Sequence, residues 1–245
     1  MTVVTRFRKT IQWGIFIIII CGMFALPMGR AAEGGQPKLV APGGAEIDFA
    51  HDITKCFATS SKPVQAYWKS YSIEAGYLEY NHPAETVRAR DKVRMIQKLP
   101  VDRVITGNEF SFELKREYVI AEKAVTIIYD EDTILTGDFL EWDRRNDLVK
   151  VTGNPQIRYK DWQIDGERIE GQVNKGVFVF FGPVKGTSND GSLKAGQIVF
   201  DRFLDKIFLK DNPVIVQGEN QFTAPEIIYD LKTRKASTKS NGNVN

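Results

Sequence analysis

A short pattern of residue classes returns six times along this chain at a nearly constant spacing. Each copy is centred on a residue with little or no side chain, and successive copies lie 32, 30, 29, 29 and 29 residues apart. These central residues are Ala75, Gly107, Gly137, Gly166, Ala195 and Ala224. A fixed period of this length predicts stacked supersecondary units, because one unit alone cannot bury its apolar face.

The residues around each centre follow strict rules. The residue two places before the centre is always apolar: Ile73, Ile105, Leu135, Ile164, Leu193, Phe222. The residue three places after it is also always apolar: Leu78, Phe110, Leu140, Ile169, Ile198, Ile227. Five places after the centre stands an aromatic residue in five of the six copies, with Gly171 as the exception: Tyr80, Phe112, Trp142, Phe200, Tyr229. A polar or acidic residue then ends each run: Asn81, Glu113, Asp143, Gln172, Asp201, Asp230.

The spacing within a copy predicts β-strands. Apolar residues alternate with polar ones, as at Leu78 and Tyr80 or at Val149 and Val151, which is the period of a strand with one dry face. Turn-like residues follow the aromatic position, and a second alternating run comes after them, so each copy predicts two or three short strands. No stretch of twelve residues has helical periodicity, and the mature chain is therefore expected to be all-β.

Two features predict bends in these strands. In a strand, positions −2 and 0 share one face, and positions +3 and +5 share one face. Because +3 comes three positions after 0, the two pairs would point to opposite faces of a regular strand. A bulge or corner at the small residue restores the phase. A second recurring bend is predicted at Asn154-Pro155, Gly182-Pro183 and Asn212-Pro213, because proline cannot donate to a ladder and is confined to strand starts and edges.

The N-terminus has the features of an export segment. Arg6, Arg8 and Lys9 precede an apolar stretch at 11–26, and Gly29 and Ala31 form a small-x-small cleavage pattern. We therefore predict a signal peptide at 1–31, or an uncleaved membrane anchor as the alternative. A Gly/Pro-rich linker is expected at 32–43, the repeat domain at 44–236 with a weaker seventh copy at Gly44, Ile47 and Phe49, and a polar tail at 237–245.

Charge and cysteine content exclude several classes of protein. Without residues 1–31 the 33 basic residues fall to 29 against 31 acidic ones, so the mature chain is near neutral and lacks the basic footprint of a nucleic-acid-binding protein. Only Cys56 remains after the signal, which leaves no intrachain disulfide and favours a buried thiol. The two histidines, His51 and His82, are too few for a His/Cys zinc site, and His82 is expected in a solvated turn. No cofactor is expected.

The inward residues allow two interpretations from the pattern alone. In the first they fill a packed core. In the second the rings at position +5, aligned along one axis, line an apolar trough between two sheets that holds a lipid. The lipid-binding residues of this second interpretation are Ile73, Leu78, Tyr80, Ile105, Phe110, Phe112, Leu135, Leu140, Trp142, Ile164, Ile169, Leu193, Ile198, Phe200, Phe222, Ile227 and Tyr229.

The repeat resembles that of the OstA/LptA family. The residues that carry the resemblance are Ala195-Gly196-Gln197-Ile198-Val199-Phe200-Asp201, Ala224-Pro225-Glu226-Ile227-Ile228-Tyr229-Asp230, and Gly137-Asp138-Phe139-Leu140-Glu141-Trp142-Asp143 with Val151-Thr152-Gly153-Asn154-Pro155 downstream. The resemblance covers 72–236 well and 44–71 less closely. It is a pattern of residue classes and contains no catalytic motif.

This resemblance implies an elongated, twisted, open β-jellyroll of six to seven repeats, each about 29–32 residues long. It implies a periplasmic protein that binds lipopolysaccharide, shields the acyl chains of lipid A and bridges the inner to the outer membrane in outer-membrane assembly. The implied partners are lipopolysaccharide, jellyroll modules of the inner-membrane and outer-membrane transport components, and further copies of the chain stacked head to tail. The sequence shows more repeats than the short periplasmic members have, and it predicts no C-terminal barrel like that of the outer-membrane members.

Three alternatives remain open. If the apolar stretch at 11–26 is retained, the chain is similar to the inner-membrane-tethered LptC branch. A structural envelope protein with a filled interior satisfies the same pattern. A polysaccharide-active enzyme is disfavoured, because Asp143, Asp201 and Asp230 recur at one turn offset and suit turn chemistry better than an acid/base pair.

Overall fold

The computed structural model describes residues 36–98 and 102–238. These residues form 21 strands and no helix, which confirms the all-β prediction. The strands are β1 (Lys38–Val40), β2 (Ala45–Asp48), β3 (Ile53–Phe57), β4 (Val64–Trp68), β5 (Tyr71–Ala75), β6 (Tyr77–Asn81), β7 (Thr86–Gln97), β8 (Arg103–Glu113), β9 (Tyr118–Ile128), β10 (Thr133–Asp143), β11 (Leu148–Thr152), β12 (Gln156–Tyr159), β13 (Trp162–Asp165), β14 (Arg168–Gln172), β15 (Val177–Thr187), β16 (Gly191–Asp201), β17 (Lys206–Lys210), β18 (Val214–Gln217), β19 (Asn220–Thr223), β20 (Glu226–Asp230) and β21 (Lys235–Thr238).

All pairings are antiparallel, and the sheet has two layers that share six long strands. Strands β7, β8, β9, β10, β15 and β16 are 11 or 12 residues long, and each runs through both layers. Layer A has the order β2-β3-β6-β7-β8-β9-β10-β11-β14-β15-β16-β17-β20-β21. Layer B has the order β1-β4-β5-β7-β8-β9-β10-β12-β13-β15-β16-β18-β19. At the usual strand spacing each layer is about 60 Å long, so the body is elongated.

The long strands bend where the sequence predicts a change of phase. Register shifts fall between Gly137 and Phe139 in β10, and between Phe181 and Val184 in β15, where Gly182-Pro183 lies. Residues with a positive φ form the bends, such as Gly182 at +89° and Asn154 at 52°. The predicted corners are therefore confirmed at both the small residue and the proline site.

Seven turns on one side of layer A form a regular stack. Each turn contains one left-handed residue. In the first six turns the carbonyl of that residue accepts a hydrogen bond from the first residue of the next turn, as from Leu114 N to Glu85 O at 2.9 Å. The seven left-handed residues are Asp52, Glu85, Glu117, Asp147, Gly176, Asp205 and Arg234. Their spacing reproduces the sequence period, so each repeat is one rung of this stack.

The structure corrects the N-terminal end of the predicted domain. Strand β1 lies inside the segment expected to be a linker at 32–43 and pairs with β4, with Leu39 opposite Ala66, so the folded body begins by residue 38. The seventh copy also has a different register from the predicted one, because Asp48 caps its turn and Phe49 is 88% exposed. The predicted signal peptide and the end of the polar tail lie outside the described residues.

Candidate functional site

The apolar interior between the two layers is the candidate site. The structure places 16 of the 17 predicted lipid-binding residues there, each at most 4% exposed. Phe222 differs from the others. It lies on β19 at the end of layer B, and 36% of its surface is exposed, because no further strand of the described chain covers it.

A second set of interior residues was not singled out from the sequence. In each of the first five copies, the second strand carries two apolar residues that lie directly opposite positions +3 and +5 of the first strand. Val151 and Val149, for example, lie opposite Leu140 and Trp142. The signal for them is the alternation itself. They are Val87, Ala89, Val119, Ala121, Val149, Val151, Phe178, Phe180, Ile207 and Leu209.

In the one copy without an aromatic residue at +5, the second strand of the same copy supplies a ring. Gly171 lies opposite Phe178 in the register of β14 and β15. A Cβ atom on Gly171 would lie 2.5 Å from Cδ1 of Phe178, so a side chain at 171 and this ring exclude each other. The exception in the sequence pattern therefore keeps the interior filled.

Aromatic rings from the two layers meet along the interior. Four such contacts are Trp68 with Phe112 at a centroid distance of 5.2 Å, Tyr129 with Phe178 at 5.4 Å, Tyr159 with Phe200 at 5.0 Å and Trp162 with Tyr229 at 5.4 Å. The interior side chains are exposed by only a few per cent and their rings contact one another, so the described residues contain no water-accessible trough between the layers. A cavity between the layers, next to Trp142, has a volume of about 10 Å³, enough for roughly one water molecule.

Polar contacts join the two layers on the side opposite the bends. We call this line the seam, and it consists of contacts that join layer-A turns to layer-B turns or strand ends. They include Lys69–Glu117, Arg103–Asn174, Asp130–Arg202, Lys160–Asp205, Asp161–Arg234 and Asp190–Arg234. The Lys160–Asp205 pair is 2.7 Å long, and the hydroxyl of Tyr159 also donates to Asp205. Burial opposes ionisation of Asp205, but hydrogen bonds from Lys160 and Tyr159 outweigh it and lower the pKa of Asp205.

Several buried polar atoms have no hydrogen-bond partner in the described part of the chain. They include Oη of Tyr129 and Nε1 of Trp142, which belong to two residues lining the same 10 Å³ cavity. Oε1 of Gln97 is a third, and Gln97 lies opposite Arg103 in the register of β7 and β8.

The recurring carboxylates have structural roles in the turns. Oδ1 of Asp143 accepts from the backbone N–H of Asn146 at 3.2 Å, and Oδ1 of Asp230 accepts from Thr233 at 2.7 Å. Asp201 accepts in the same way from Phe203 and Leu204. This arrangement agrees with turn chemistry.

The remaining candidate chemistry is sparse. Among residues 36–98 and 102–238 no three His, Cys, Asp or Glu side chains are grouped to hold a metal ion. His82 lies in a turn, as expected from the sequence, but it is half-buried: its Nε2 lies 2.9 Å from the Thr54 hydroxyl and its ring packs on Tyr80 at 4.3 Å. Cys56 is buried, and burial raises the pKa of its thiol to about 11.

Both ends of each layer carry an edge strand without a second neighbour in the described chain. The edges are β1 and β2 at one end and β19 and β21 at the other. Every residue of β19 is exposed. These edges keep the jellyroll open at its ends and present free backbone N–H and C=O groups. No helix in the described ranges has the length and apolarity needed to cross a membrane.

Comparison with known proteins finds a likeness among solved structures only. No protein-family model matches the chain, and no curated protein matches it. Among solved structures, LptH of Pseudomonas aeruginosa, the LptA-homologous periplasmic component of the conserved lipopolysaccharide transport device, matches with 16% sequence identity and a TM-score of 0.41. The match covers 46% of this chain and 85% of LptH. At this TM-score the likeness has no weight for fold or function, and the fold described above rests on this chain's own strand pairing.

Proposed function

We propose that this chain is a periplasmic lipopolysaccharide-binding transport protein that shields lipid A acyl chains and bridges the inner to the outer membrane. The observation that carries the proposal is one apolar interior, about 60 Å long, that continues through all seven repeats between two layers with open ends. Transfer of a methylene group from water to an apolar environment is worth about 0.8 kcal/mol, so one chain of about twelve carbons gains roughly 10 kcal/mol. A series of equivalent repeats offers many similar positions along the path.

Loading of a lipid requires that the layers part, because the interior is filled by the chain's own side chains. The two layers are covalently continuous at the bends of β7–β10, β15 and β16, whereas the side opposite the bends is held by the polar seam. The ion pairs of the seam are partly exposed, and such pairs contribute about 1 kcal/mol each. Opening at the seam therefore costs less than breaking backbone ladders, and acyl chains would replace side-chain contacts between the layers.

The open edges support end-to-end assembly as the way to bridge the periplasm. Strands β19 and β21 at one end and β1 and β2 at the other can accept a further strand by β-augmentation. Inner-membrane and outer-membrane jellyroll modules, or a second copy of this chain, are the proposed partners. Export by a signal peptide is part of this proposal, and retention of 11–26 as an anchor, as in the LptC branch, is its variant. Determination of the N-terminal residue of the mature protein distinguishes the two.

Photo-crosslinking tests the proposal directly. A photoreactive amino acid at Ile157, which is fully buried, is compared with one at Arg158, its exposed neighbour on β12. We expect ultraviolet light to couple lipopolysaccharide to position 157 and much less to position 158. A folded protein that captures no lipopolysaccharide at Ile157, or equal amounts at both positions, refutes the transport role.

A second candidate function is favoured by the filled interior itself. A structural envelope protein needs no cavity, and buried residues at 0–4% exposure between the layers agree with a permanent core. Such a protein binds no lipid in any state. The crosslinking comparison above and the native mass of the purified protein separate the two functions.

A further inference from the structure

The seven turns of the layer-A stack present a line of exposed tips beside the seam. The tip of each turn is formed by the two residues directly before the left-handed residue, and every tip residue is exposed. None of these residues is acidic. The tips are Ala50-His51, Pro83-Ala84, Lys115-Arg116, Arg145-Asn146, Asn174-Lys175, Phe203-Leu204 and Lys232-Thr233.

The sixth tip is apolar and lies between two tips that carry a lysine. Phe203 is 63% exposed and Leu204 is 57% exposed. The Phe203 ring leans on the preceding turn, because a Cβ atom on Gly176 would lie 3.2 Å from Cε2 of the ring, and Lys175 is the chain neighbour of Gly176. Lys232 belongs to the tip of the following turn. Neighbouring turns are about 10 Å apart, since each turn joins two strands of the layer.

The carboxylates of the sixth turn lie outside its tip and have partners within the protein. Oδ1 of Asp201 accepts from the backbone N–H groups of Phe203 and Leu204 at 3.1 Å and 2.9 Å. Asp205 pairs with Lys160 in the seam. Both acids of this turn are therefore engaged, and neither is part of the exposed tip.

The two lysines beside the apolar tip have no ion-pair partner. Among residues 36–98 and 102–238, no carboxylate oxygen lies within 4.0 Å of Nζ of Lys175 or Lys232. Both side chains are exposed. Their ammonium groups are therefore available to an anion that approaches from outside.

Phe49 in the first turn provides an internal comparison. Its side chain is 88% exposed and lies about 50 Å from the sixth turn along the stack. Its own turn carries Asp48 and Asp52, and the next tip is Pro83-Ala84, so no lysine or arginine stands beside this ring. Exposed apolar surface and unpaired cations coincide at the sixth turn and do not coincide at the first.

We propose that the Phe203-Leu204 tip, with Lys175 and Lys232 beside it, docks on the surface of a bilayer that contains anionic lipids. Apolar side chains at the end of a hairpin enter the boundary between headgroups and acyl chains, and adjacent ammonium groups attract the lipid phosphates. Two apolar side chains are far less than the roughly 800 Å² per partner that a stable protein–protein interface buries. This small size favours a lipid surface over a protein partner.

Docking at this tip goes beyond the transport function proposed above and does not depend on it, because attachment to a bilayer needs no lipid in the interior. The sixth turn also carries two seam contacts, Asp130–Arg202 and Lys160–Asp205. A docked tip therefore places this part of the seam next to the lipid headgroups.

An environment-sensitive fluorophore at the tip tests the inference. In a Cys21→Ser background of the full chain, Phe203→Cys and the matched control Phe49→Cys are each labelled with nitrobenzoxadiazole, whereas Cys56 is buried. The probes are phosphatidylcholine vesicles with and without about 30% phosphatidylglycerol. We expect the fluorescence at position 203 to rise with the anionic vesicles and to rise much less in about 0.5 M NaCl, where charges are screened. Little change is expected at position 49 or with phosphatidylcholine alone.

Lysine variants test the contribution of charge. Lys175→Gln combined with Lys232→Gln should raise the vesicle concentration at half-maximal signal about tenfold or more. Lys185→Gln combined with Lys194→Gln removes two exposed lysines that lie opposite each other in layer B, and it should leave that concentration unchanged.

Four results would overturn the inference. They are no rise at position 203, equal rises at positions 203 and 49, equal rises with the two kinds of vesicle, and equal effects of the two lysine pairs. A rise that follows protein concentration without vesicles would also overturn it, because it would assign the tip to a contact between copies of the chain. The crosslinking comparison at Ile157 and Arg158 decides the transport function separately.

Discussion

The Nζ atom of Lys69 in layer B lies 2.7 Å from Oε1 of Glu117 in layer A, although 48 residues separate them in the chain. The other carboxylate oxygen of Glu117 is 3.2 Å from Nε of Arg144, whose guanidinium group lies 4.9 Å from the centre of the Tyr71 ring. Glu117 is also the left-handed residue of its turn. The Glu117 side chain thus links the turn stack of layer A to the turn between β4 and β5 in layer B.

Removing the charge of Glu117 is expected to loosen the seam without loss of the fold. Glu117→Gln should lower the free energy of unfolding by about 1 kcal/mol, because the carboxylate is mostly buried and has two cationic partners. Urea unfolding measures this change. Glu170→Gln is the matched control, since its pair with Arg168 is about half exposed on the outer face and should contribute almost nothing. Equal losses in the two variants would contradict a special role for the seam.

The small residue at the strand corner should resist enlargement to a degree set by its surroundings. A Cβ atom on Gly137 would lie 2.4 Å from Cγ1 of Val151, a buried and β-branched residue that has little freedom to move. Gly137→Ala is therefore expected to cost about 1–3 kcal/mol of stability. At the same repeat position, a Cβ on Gly166 meets nothing closer than 3.3 Å, so Gly166→Ala should cost less. Chemical denaturation that ranks the two variants the other way would refute this account of the corner.

Stability should fall below about pH 4 because of the turn carboxylates. The side chain and backbone N–H of Asn146 lower the pKa of Asp143 below its ordinary value of 3.8, and Thr233 does the same for Asp230. A carboxyl group with a lowered pKa in the fold stabilises it above the ordinary pKa, and this contribution disappears as the pH falls through the folded value. Urea midpoints between pH 3 and pH 7 test the sign. Asp143→Asn should keep the turn, because Asn81 accepts the same kind of hydrogen bond in the first copy. The variant should also show a weaker dependence of stability on pH. An unchanged dependence would contradict the role of Asp143.

The thiol of Cys56 should be inert in the folded protein. Burial raises its pKa to about 11, so at pH 8 both the thiolate fraction and its access to reagent are small. In a Cys21→Ser background, reaction with a maleimide should be slow in buffer and fast in 6 M guanidinium, about as fast as a free cysteine peptide. Fast labelling without denaturant would mean that β3 opens readily.

The repeat spacing predicted most of the fold because it reports on local geometry. Alternation at Leu78 and Tyr80 identified strands, and the odd separation between positions 0 and +3 identified bends that the structure has at Gly137 and Gly182-Pro183. The aspartates at one offset identified the turns. Each of these features depends on neighbours in sequence, and a short pattern contains that information.

The closing of the two layers was not predictable from the pattern. Contacts such as Trp162 with Tyr229 or Asp130 with Arg202 join residues about 70 positions apart, and their choice depends on the twist and offset of the layers. The sequence placed Trp142 and Phe200 inside but did not distinguish a filled interior from an open trough. One consequence concerns mutagenesis: an aspartate at Trp142, Ile198 or Phe200 would bury an unpaired charge and unfold the chain, so it does not test lipid binding.

Native mass spectrometry tests the central claim most directly, as it asks whether this interior ever holds a lipid. Protein purified without detergent is weighed under native conditions and again after denaturing extraction. The transport account predicts a bound species whose mass difference corresponds to a phosphorylated glycolipid and which disappears on extraction, with loading reduced by a covalent crosslink across the Lys69–Glu117 contact. Identical masses before and after extraction, in a folded protein that also takes up no lipopolysaccharide when it is added, would contradict it and identify the interior as a permanent core.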